Sequence, residues 1–363
     1  MTERIGSLAG LLARLGFDDP RRAEGLVRDA ALDDVLLERD QAVAFLESVA
    51  KVPDPDLALL SVVRLLEAAG AAAVKDAGQA GSVAGLRDLL GADTPDRDRL
   101  LAVLGASTAL GDHLVAHPTH WPAVTTAQGM GVAERIALIR EAVDEPGGLS
   151  ADDALRVAYR RQLLGIAALG LTSPDPVATL PETAAALADL AEAALEGALA
   201  IAVAEAPEDA AVCRLAVIGM GKTGGRELNY VSDVDVIYVG EPVGDVDEPA
   251  AMQAGARLAA RLTRACGANT AHGTLWPVDA ALRPEGKAGA LVRTVANHRA
   301  YYERWAKTWE FQALLKARVV AGDRALGAAY LQAVQPMVWE AAGRADFVED
   351  VQAMRRRVEE NVP

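Results

Sequence analysis

The segment RLAVIGMGKTGGRELNYVSDVDVIYV, residues 214–239, decides the expected fold. Arg214–Ile218 and Val234–Val239 are apolar enough to predict two strands, and a glycine-rich turn lies between them. A G-x-G-x-x-G pattern after a strand is typical of dinucleotide-binding folds, but residues 226–233 are too few for the crossover helix that such folds need. A phosphate-binding P-loop is excluded because Ala216 stands where that motif requires glycine. The pattern therefore predicts a short turn between two strands, with or without a bound ligand.

The rest of the chain is mostly helical in its pattern. Up to residue 172, apolar residues recur at three- and four-residue intervals, with proline- and glycine-rich breaks. The breaks in this part of the chain lie at Pro53–Pro55, Gly91–Pro95, His117–Pro118 and Pro146–Gly148. A further break, at Thr172–Pro176, precedes a long alanine-rich helix expected over 181–206.

A small sheet is expected in the second half of the chain. A helix over 250–265 and a third strand near Leu275–Leu282 follow the first two strands, and helices return from Ala296 onward. This order predicts an α/β (α+β) fold in which a small mixed sheet is flanked by helices. We expect an all-helical domain over 1–172 and a catalytic domain over 173–335. We also expect a following helical region that begins at 336 and is truncated at residue 363.

Composition and charge restrict the class of protein. The 363 residues include 36 Lys and Arg against 51 Asp and Glu, which gives a net charge of −15. Proteins that coat nucleic acid present net basic surfaces, so nucleic acid is not an expected partner. The longest apolar candidate for a membrane span, Ala184–Ala206, contains four acidic residues. Two cysteines cannot form a disulfide framework, and a cytoplasmic protein without a membrane anchor is predicted.

Three acidic residues form the candidate metal site. Asp233 and Asp235 flank Val234, and because side chains alternate along a strand, both carboxylates are expected on one face. Asp279 lies within the otherwise apolar third strand, where an unpaired carboxylate is costly. Three carboxylates beside a glycine turn suit two divalent cations about 4 Å apart that act on a phosphoryl group. Solvated acids at a strand end are the alternative.

Basic residues concentrate after the third strand. Between Ala281 and Arg324 there are nine basic and four acidic residues, which gives a local net charge of +5. A local surplus of positive charge attracts ligands rich in phosphate. The candidates in apolar or turn contexts are Arg283, Lys287, Lys316 and Arg318.

Several motifs together resemble one known family. They are Gly219–Met–Gly–Lys–x–Gly–Gly–Arg–Glu–Leu–Asn229, Ser232–Asp–x–Asp235, Val278–Asp–x–x–Leu–Arg–Pro284, Trp309–Glu310 and Ala313–Leu–x–Lys–Ala–Arg318. The chain resembles the bifunctional glutamine synthetase adenylyltransferase/adenylyl-removing enzymes, which have two nucleotidyltransferase domains of the polymerase-β type. It is similar to the N-terminal, adenylyl-removing half of that family.

The resemblance implies a reaction and a set of site residues. Adenylylated glutamine synthetase and inorganic phosphate would give ADP and the unmodified, active synthetase. Asp233, Asp235 and Asp279 would bind Mg²⁺ or Mn²⁺, with two ions expected. The residues implied to bind the nucleotide or phosphate are Gly224, Gly225, Arg226, Ser232, Arg283, Lys287, Lys316 and Arg318. The implied partners are adenylylated glutamine synthetase, the PII signalling protein and adenine nucleotides.

Two departures from the family pattern keep alternatives open. Ala281 and Phe311 occupy positions where the family pattern leads us to expect Arg. The forward, ATP-dependent adenylyltransferase is one alternative, because the reverse reaction uses the same metal site. A catalytically weak regulatory module that senses PII or glutamine is another, and the missing arginines favour it. The histidines at 113, 117 and 120 are interpreted as a helix end rather than a metal site.

Overall fold

The computed structural model describes residues 7–36, 39–126, 129–343, 345 and 347–360. By its internal packing the chain divides into two compact units. The first comprises Met1–Met130 and Arg160–Leu180, and the second comprises Gly131–Tyr159 and Pro181–Pro363. The three domains expected from the sequence stay a prediction, and residues 344, 346 and 361–363 of the last one lie outside the described residues.

Helices dominate both units. The α-helices of the described residues are α1 (Leu8–Arg14), α2 (Pro20–Val27), α3 (Arg39–Val49), α4 (Pro55–Lys75), α5 (Ala80–Gly91), α6 (Pro95–Ala106), α7 (Thr108–Ala116), α8 (Ala123–Thr126), α9 (Val132–Asp144), α10 (Ala151–Leu171), α11 (Pro176–Glu205), α12 (Pro207–Val212), α13 (Gly221–Gly224), α14 (Glu248–Gly267), α15 (Val295–Arg304), α16 (Thr308–Leu314), α17 (Arg324–Ala342) and α18 (Phe347–Glu360). Short 3-10 helices cover Ala30–Leu32, Ala77–Gln79, Pro118–His120 and Gly286–Ala288.

Proline and polar capping residues explain where the helices begin. Asp54 caps α4, because its carboxylate accepts a hydrogen bond from the Leu57 amide at 2.9 Å, and Pro55 occupies the first helical position. Thr94 and Pro95 begin α6 in the same way. The breaks expected in the N-terminal half are therefore confirmed as helix boundaries. The long alanine-rich helix, α11, begins at Pro176, five residues before the expected start.

A mixed five-stranded sheet lies in the second unit. Its strands are β1 (Cys213–Gly219), β2 (Val234–Pro242), β3 (Val278–Asp279), β4 (Val292–Arg293) and β5 (Arg318–Gly322). Strand β1 pairs antiparallel with β2 on one side and with β5 on the other. Strands β3 and β4 both run parallel to β2. The mostly helical α/β fold with a small mixed sheet is confirmed, and the antiparallel β1–β2 pair agrees with rejecting a dinucleotide-binding fold.

The structure changes two expectations about the strands. A third strand was expected near Leu275–Leu282, and β3 lies there, but it contains only Val278 and Asp279, both half-buried. Pro277 in the middle of that stretch has no amide hydrogen to donate, which limits strand pairing. Residues 318–322 were expected to be helical but form β5, where Val319 and Val320 favour a pleated conformation.

Within the part of the chain that the structure describes, one helix, which belongs to the first unit, is long and apolar enough to cross a membrane. It is α4, and its most apolar window is 44% buried inside the protein. The sequence reading overlooked this helix and selected 184–206 instead. Eight of its residues, from Ala58 to Ala69, are buried. Leu59, Val62 and Leu66 belong to the apolar core of the first unit, so α4 packs as a core helix in this fold.

The core of the second unit contains a buried histidine. His298 on α15 is 1% exposed, and its Nδ1 lies 3.1 Å from the Thr294 carbonyl oxygen, which can only accept. Its ring packs in a T-shaped arrangement with that of Tyr330, with the ring centroids 5.0 Å apart. Burial lowers the pKa of His298 to about 4, partly opposed by the bond to Thr294. The fold therefore favours the neutral ring.

We expect His298 to make stability depend on pH. Because the folded pKa lies below the unfolded value, the unfolded chain binds more protons between pH 6.5 and 4, and unfolding becomes easier as pH falls through this window. Through this group, acidification from neutral pH to pH 4 should lower the free energy of unfolding by up to about 3 kcal/mol. Urea unfolding from pH 7.5 to pH 4 should give a flatter stability profile for His298→Asn than for the wild type. If the two stability profiles ran parallel from pH 7.5 to pH 4, His298 would not be a source of the pH dependence.

Candidate functional site

The glycine-rich turn connects β1 to the start of the site. Strand β1 ends at Gly219, and α13 is a single helical turn of four residues. Gly221 adopts a positive φ of 51°, which side chains disfavour. A Cβ on Gly221 would lie 2.4 Å from Oδ2 of Asp235, so this glycine allows the backbone to approach that carboxylate.

Gly224, the next glycine in the turn, is required because the backbone packs closely against it. A Cβ on Gly224 would lie 2.0 Å from the carbonyl oxygen of Lys316 and 2.4 Å from that of Gly219. A Cβ on Gly225 would instead lie 2.9 Å from Cδ of the flexible Lys316 side chain. Gly224 thus packs the turn against the segment that enters β5. Binding of a phosphate by the amides of Gly224 and Gly225 stays a prediction.

The three predicted acids converge beside this turn. Asp235 is the second residue of β2, and the parallel register places it opposite Asp279 of β3. Asp233 precedes β2 by one residue. One carboxylate oxygen from each of the three lies within 4.8 Å of the other two. Across the described ranges, from residue 7 to residue 360 with their gaps, this is the one group of at least three His, Cys, Asp or Glu with such convergence.

The electrostatics of this acid triad (Asp233, Asp235 and Asp279) suit a cation. Burial raises the pKa of Asp235, and the neighbouring Asp233 and Asp279 raise it further, while Lys222 opposes the shift. Hydrogen bonding already orients one member, because Oδ1 of Asp279 accepts from the Ala281 amide at 2.7 Å. Carboxylate oxygens are the donors that Mg²⁺ and Mn²⁺ prefer, and a divalent cation would relieve the mutual repulsion. The residues present therefore fit a divalent metal.

Two of the predicted phosphate-binding side chains on these loops, Arg283 and Lys316, already have partners within the protein. Arg283 donates to the carbonyl oxygens of Ala280, Lys287 and Gly289, and so organises the loop after β3. Lys287 is exposed within that loop. Lys316 forms an ion pair with Glu227.

The remaining predicted residues lie on or near the turn. Arg318 contacts Glu192 and the carbonyl oxygens of Thr223 and Gly224. Arg226 forms an ion pair with Asp189 at 2.6 Å. Ser232 is half-buried and immediately precedes Asp233. Their roles toward a ligand stay predictions.

One of the two departures from the expected family pattern has a visible structural reason. Ala281 follows β3 and donates its backbone amide to Asp279, but nothing in the structure explains alanine at this position. Phe311 is 2% exposed and packs against Tyr302, with ring centroids 6.1 Å apart. A charged arginine at position 311 would have to enter this apolar core.

The sequence reading missed two features of the site. Lys222 is exposed and close enough to Asp235 to oppose the rise of the Asp235 pKa, and its place inside the glycine motif was a usable signal. Buried acids on α11, notably Glu192, pair with arginines of the sheet region. An acidic residue in a buried alanine-rich helix indicates that a basic side chain pairs with it. Sequence spacing does not show where in the chain that basic residue lies.

Similarity to known proteins identifies the family of the chain. The sequence profile of the family described as glutamate-ammonia ligase adenylyltransferase matches residues 97–333. The chain is 52% identical over 364 residues to a bifunctional glutamine synthetase adenylyltransferase/adenylyl-removing enzyme of Streptomyces avermitilis, covering 99% of this chain and 34% of that protein. The corresponding Streptomyces coelicolor protein is 54% identical over 359 residues, covering 97% of this chain and 34% of that protein. For Mycobacterium avium the identity is 47%, with 97% and 33% covered. The chain spans about a third of the length of these relatives, and matches the N-terminal third of the first.

Proposed function

The chain belongs to the glutamate-ammonia ligase adenylyltransferase family, and from this premise we propose that its second unit removes AMP from an adenylylated tyrosine of glutamine synthetase. The observation that carries the proposal is the convergence of Asp233, Asp235 and Asp279 beside Gly221. The names of the relatives include adenylyl removal, and the chain matches the N-terminal third of the Streptomyces avermitilis protein. By the family resemblance, that third contains the removing activity.

The reaction is a phosphorolysis. The bond between the tyrosine oxygen and the AMP phosphorus breaks, and an oxygen of inorganic phosphate forms a new bond to that phosphorus. ADP leaves, and the tyrosine oxygen takes up a proton. Because phosphate is already an anion at neutral pH, the site needs no carboxylate base to generate the nucleophile.

The acid triad would hold the Mg²⁺ or Mn²⁺. When bound, such ions neutralise the charge that accumulates on the phosphoryl oxygens and orient the reacting groups. Asp235 lies against the turn, and Asp279 is fixed by its bond to the Ala281 amide. These contacts preorganise the carboxylates before a ligand arrives.

Basic residues around the triad would attract the phosphate groups. Lys222 lies close to Asp235, and Lys287 is exposed on the loop after β3. Lys316 is also exposed, and its ion pair with Glu227 can exchange for a ligand phosphate at little cost, because exposed ion pairs contribute less than about 1 kcal/mol. This local surplus of positive charge favours an anionic substrate despite the acidic chain as a whole.

The regulatory alternative has one specific observation in its favour. Ala281 and Phe311 remove two positive charges expected in the family pattern, which would weaken phosphate binding. In that case the chain would bind the PII protein or glutamine and influence a catalytic site elsewhere in a longer protein.

We expect the full chain to form ADP from adenylylated glutamine synthetase, phosphate and Mg²⁺. Asp233→Asn should lower this rate by about 1,000-fold, because it removes one carboxylate from the metal site. Asp245→Asn, on the exposed turn after β2, is the matched control and should retain the wild-type rate. ADP release can be followed by a coupled assay.

Other outcomes would replace the proposal. Absence of ADP with the wild type, or undiminished ADP with Asp233→Asn, contradicts removal at this site. Transfer of AMP from ATP to the unmodified synthetase would support the forward enzyme. Nucleotide-independent binding of PII without either reaction would support the regulatory module.

A further inference from the structure

Three acids share one face of α11 in the second unit. Asp189, Glu192 and Glu196 are spaced three and four residues apart, which places them on one side of a helix. The Glu192 side chain is 5% exposed and pairs with both Arg318 and Arg324. A buried carboxylate is stable only with such partners. Glu192 therefore holds two arginines at fixed positions.

Arg318 transmits this constraint to the glycine turn. It lies on β5, directly opposite Gly219 of β1. Its Nη1 contacts Glu192, its Nε donates to the carbonyl oxygen of Gly224 at 3.3 Å, and its Nη2 donates to that of Thr223 at 3.2 Å. One guanidinium thus joins a buried acid to the C-terminal end of α13.

The turn needs support from outside itself. A four-residue helix has little stability of its own, because nucleation costs more than one turn of hydrogen bonds returns. The other end of the same turn carries Gly221, which lies against Oδ2 of Asp235. A change in the position of α13 would therefore alter the space around a carboxylate of the acid triad.

We propose that Glu192 is a positioning residue: through Arg318 it holds α13 against Asp235 and so shapes the cation-binding acid triad. Any effect of Glu192 on catalysis rests on the proposed function. The positioning of α13 by Glu192 and Arg318 does not depend on which reaction the site performs. Arg318 acts here as a clamp on the Thr223 and Gly224 carbonyls.

The test compares two acids of the same helix face. Glu192→Gln removes the charge that fixes Arg318, whereas Glu196→Gln removes an ion pair with Arg324 and leaves the Arg318 contacts intact. Partners of metal ligands typically contribute 10- to 100-fold in metal affinity, so we expect Glu192→Gln to weaken Mn²⁺ binding about 10-fold. Glu196→Gln should stay close to the wild-type affinity. Electron paramagnetic resonance of free Mn²⁺ measures this without any substrate.

A second readout is local to the turn. Amide hydrogen exchange at Gly224 and Gly225 should accelerate about 10-fold in Glu192→Gln, because the local opening free energy falls when the clamp is lost. Amides in the middle of β1 should exchange at the wild-type rate. Arg318→Lys retains the positive charge beside Glu192 but cannot donate to both carbonyls, and should accelerate the same two amides.

The inference and the proposed function fail separately. Unchanged Mn²⁺ affinity and unchanged exchange at Gly224 in both Glu192→Gln and Arg318→Lys would overturn the positioning role, even if melting temperatures fell. Equal effects of Glu192→Gln and Glu196→Gln would also overturn it. Absence of ADP formation by the wild type, together with the expected exchange differences, would overturn the proposed function alone.

Discussion

Asp235→Asn is expected to lower kcat/KM for ADP formation by about 1,000-fold or more. A bound divalent ion stabilises phosphoryl transfer by several kcal/mol, and each 1.36 kcal/mol corresponds to about a factor of ten in rate. Asp235 is central in the triad, because it lies opposite Asp279 in the strand register and against the turn at Gly221. An amide oxygen at this position is a weaker, uncharged ligand.

The same substitution should not destabilise the metal-free protein. Burial and the two neighbouring carboxylates disfavour the ionised form of Asp235, as the raised pKa shows. A neutral Asn removes that repulsion, so the melting temperature without metal should stay equal or rise. We expect Mn²⁺ to raise the melting temperature of the wild type, because a ligand stabilises the state that binds it. In Asp235→Asn this rise in melting temperature should be lost.

Asp245→Asn serves as the control for both measurements. It removes an acid of the same type from the exposed turn after β2 and should retain activity and the Mn²⁺-dependent increase. If Asp235→Asn kept its activity within tenfold and still melted higher with Mn²⁺, Asp235 would not be a metal ligand.

Gly224→Ala is expected to destabilise the second unit by about 3 kcal/mol or more, since overpacking against a rigid backbone cannot be relieved by a rotamer change. The added Cβ would lie 2.0 Å from one carbonyl oxygen and 2.4 Å from another. In domains of this size, about 3 kcal/mol corresponds to a fall in melting temperature of roughly 6–12 °C. Differential scanning calorimetry without ligand measures the change independently of any activity.

Gly225→Ala is the matched neighbour. The nearest atom to its added Cβ is Cδ of Lys316, at 2.9 Å, and this side chain can move. The nearest backbone atom, the carbonyl oxygen of Gly221, would lie 3.3 Å from the added Cβ, so we expect a smaller loss, of about 1 kcal/mol. Equal destabilisation by the two substitutions would show that the close approach at Gly224 does not limit stability.

Much of the candidate site was readable from periodicity and residue chemistry. Alternation along a strand placed Asp233 and Asp235 together, and a carboxylate in an apolar stretch identified Asp279. The structure brings the three together, although β3 is far shorter than expected. The family resemblance, carried by the glycine motif and the acids after it, is confirmed by the profile match and by the relatives.

The features that the sequence did not predict correctly, β5 and the partners of the acids on α11, both depend on contacts between distant segments of the chain. Residues 318–322 follow a helical pattern and are short, so local periodicity did not separate a strand from a helix. Pairing with β1 makes this segment β5 and brings Arg318 to the turn. The acids of α11 were similarly classed by composition, while the arginine partners of Glu192 and Glu196 lie more than 100 residues away in the chain.

The sequence by itself determined the family, the mostly helical α/β class and the acids that could hold a cation. These properties depend on residue type and local spacing, which the chain carries directly. Only the tertiary structure decided which glycine is a backbone contact, which arginine is already engaged, and how Asp279 reaches Asp235. These depend on strand register and on contacts between distant segments, and packing selects them from many arrangements that local pattern allows equally.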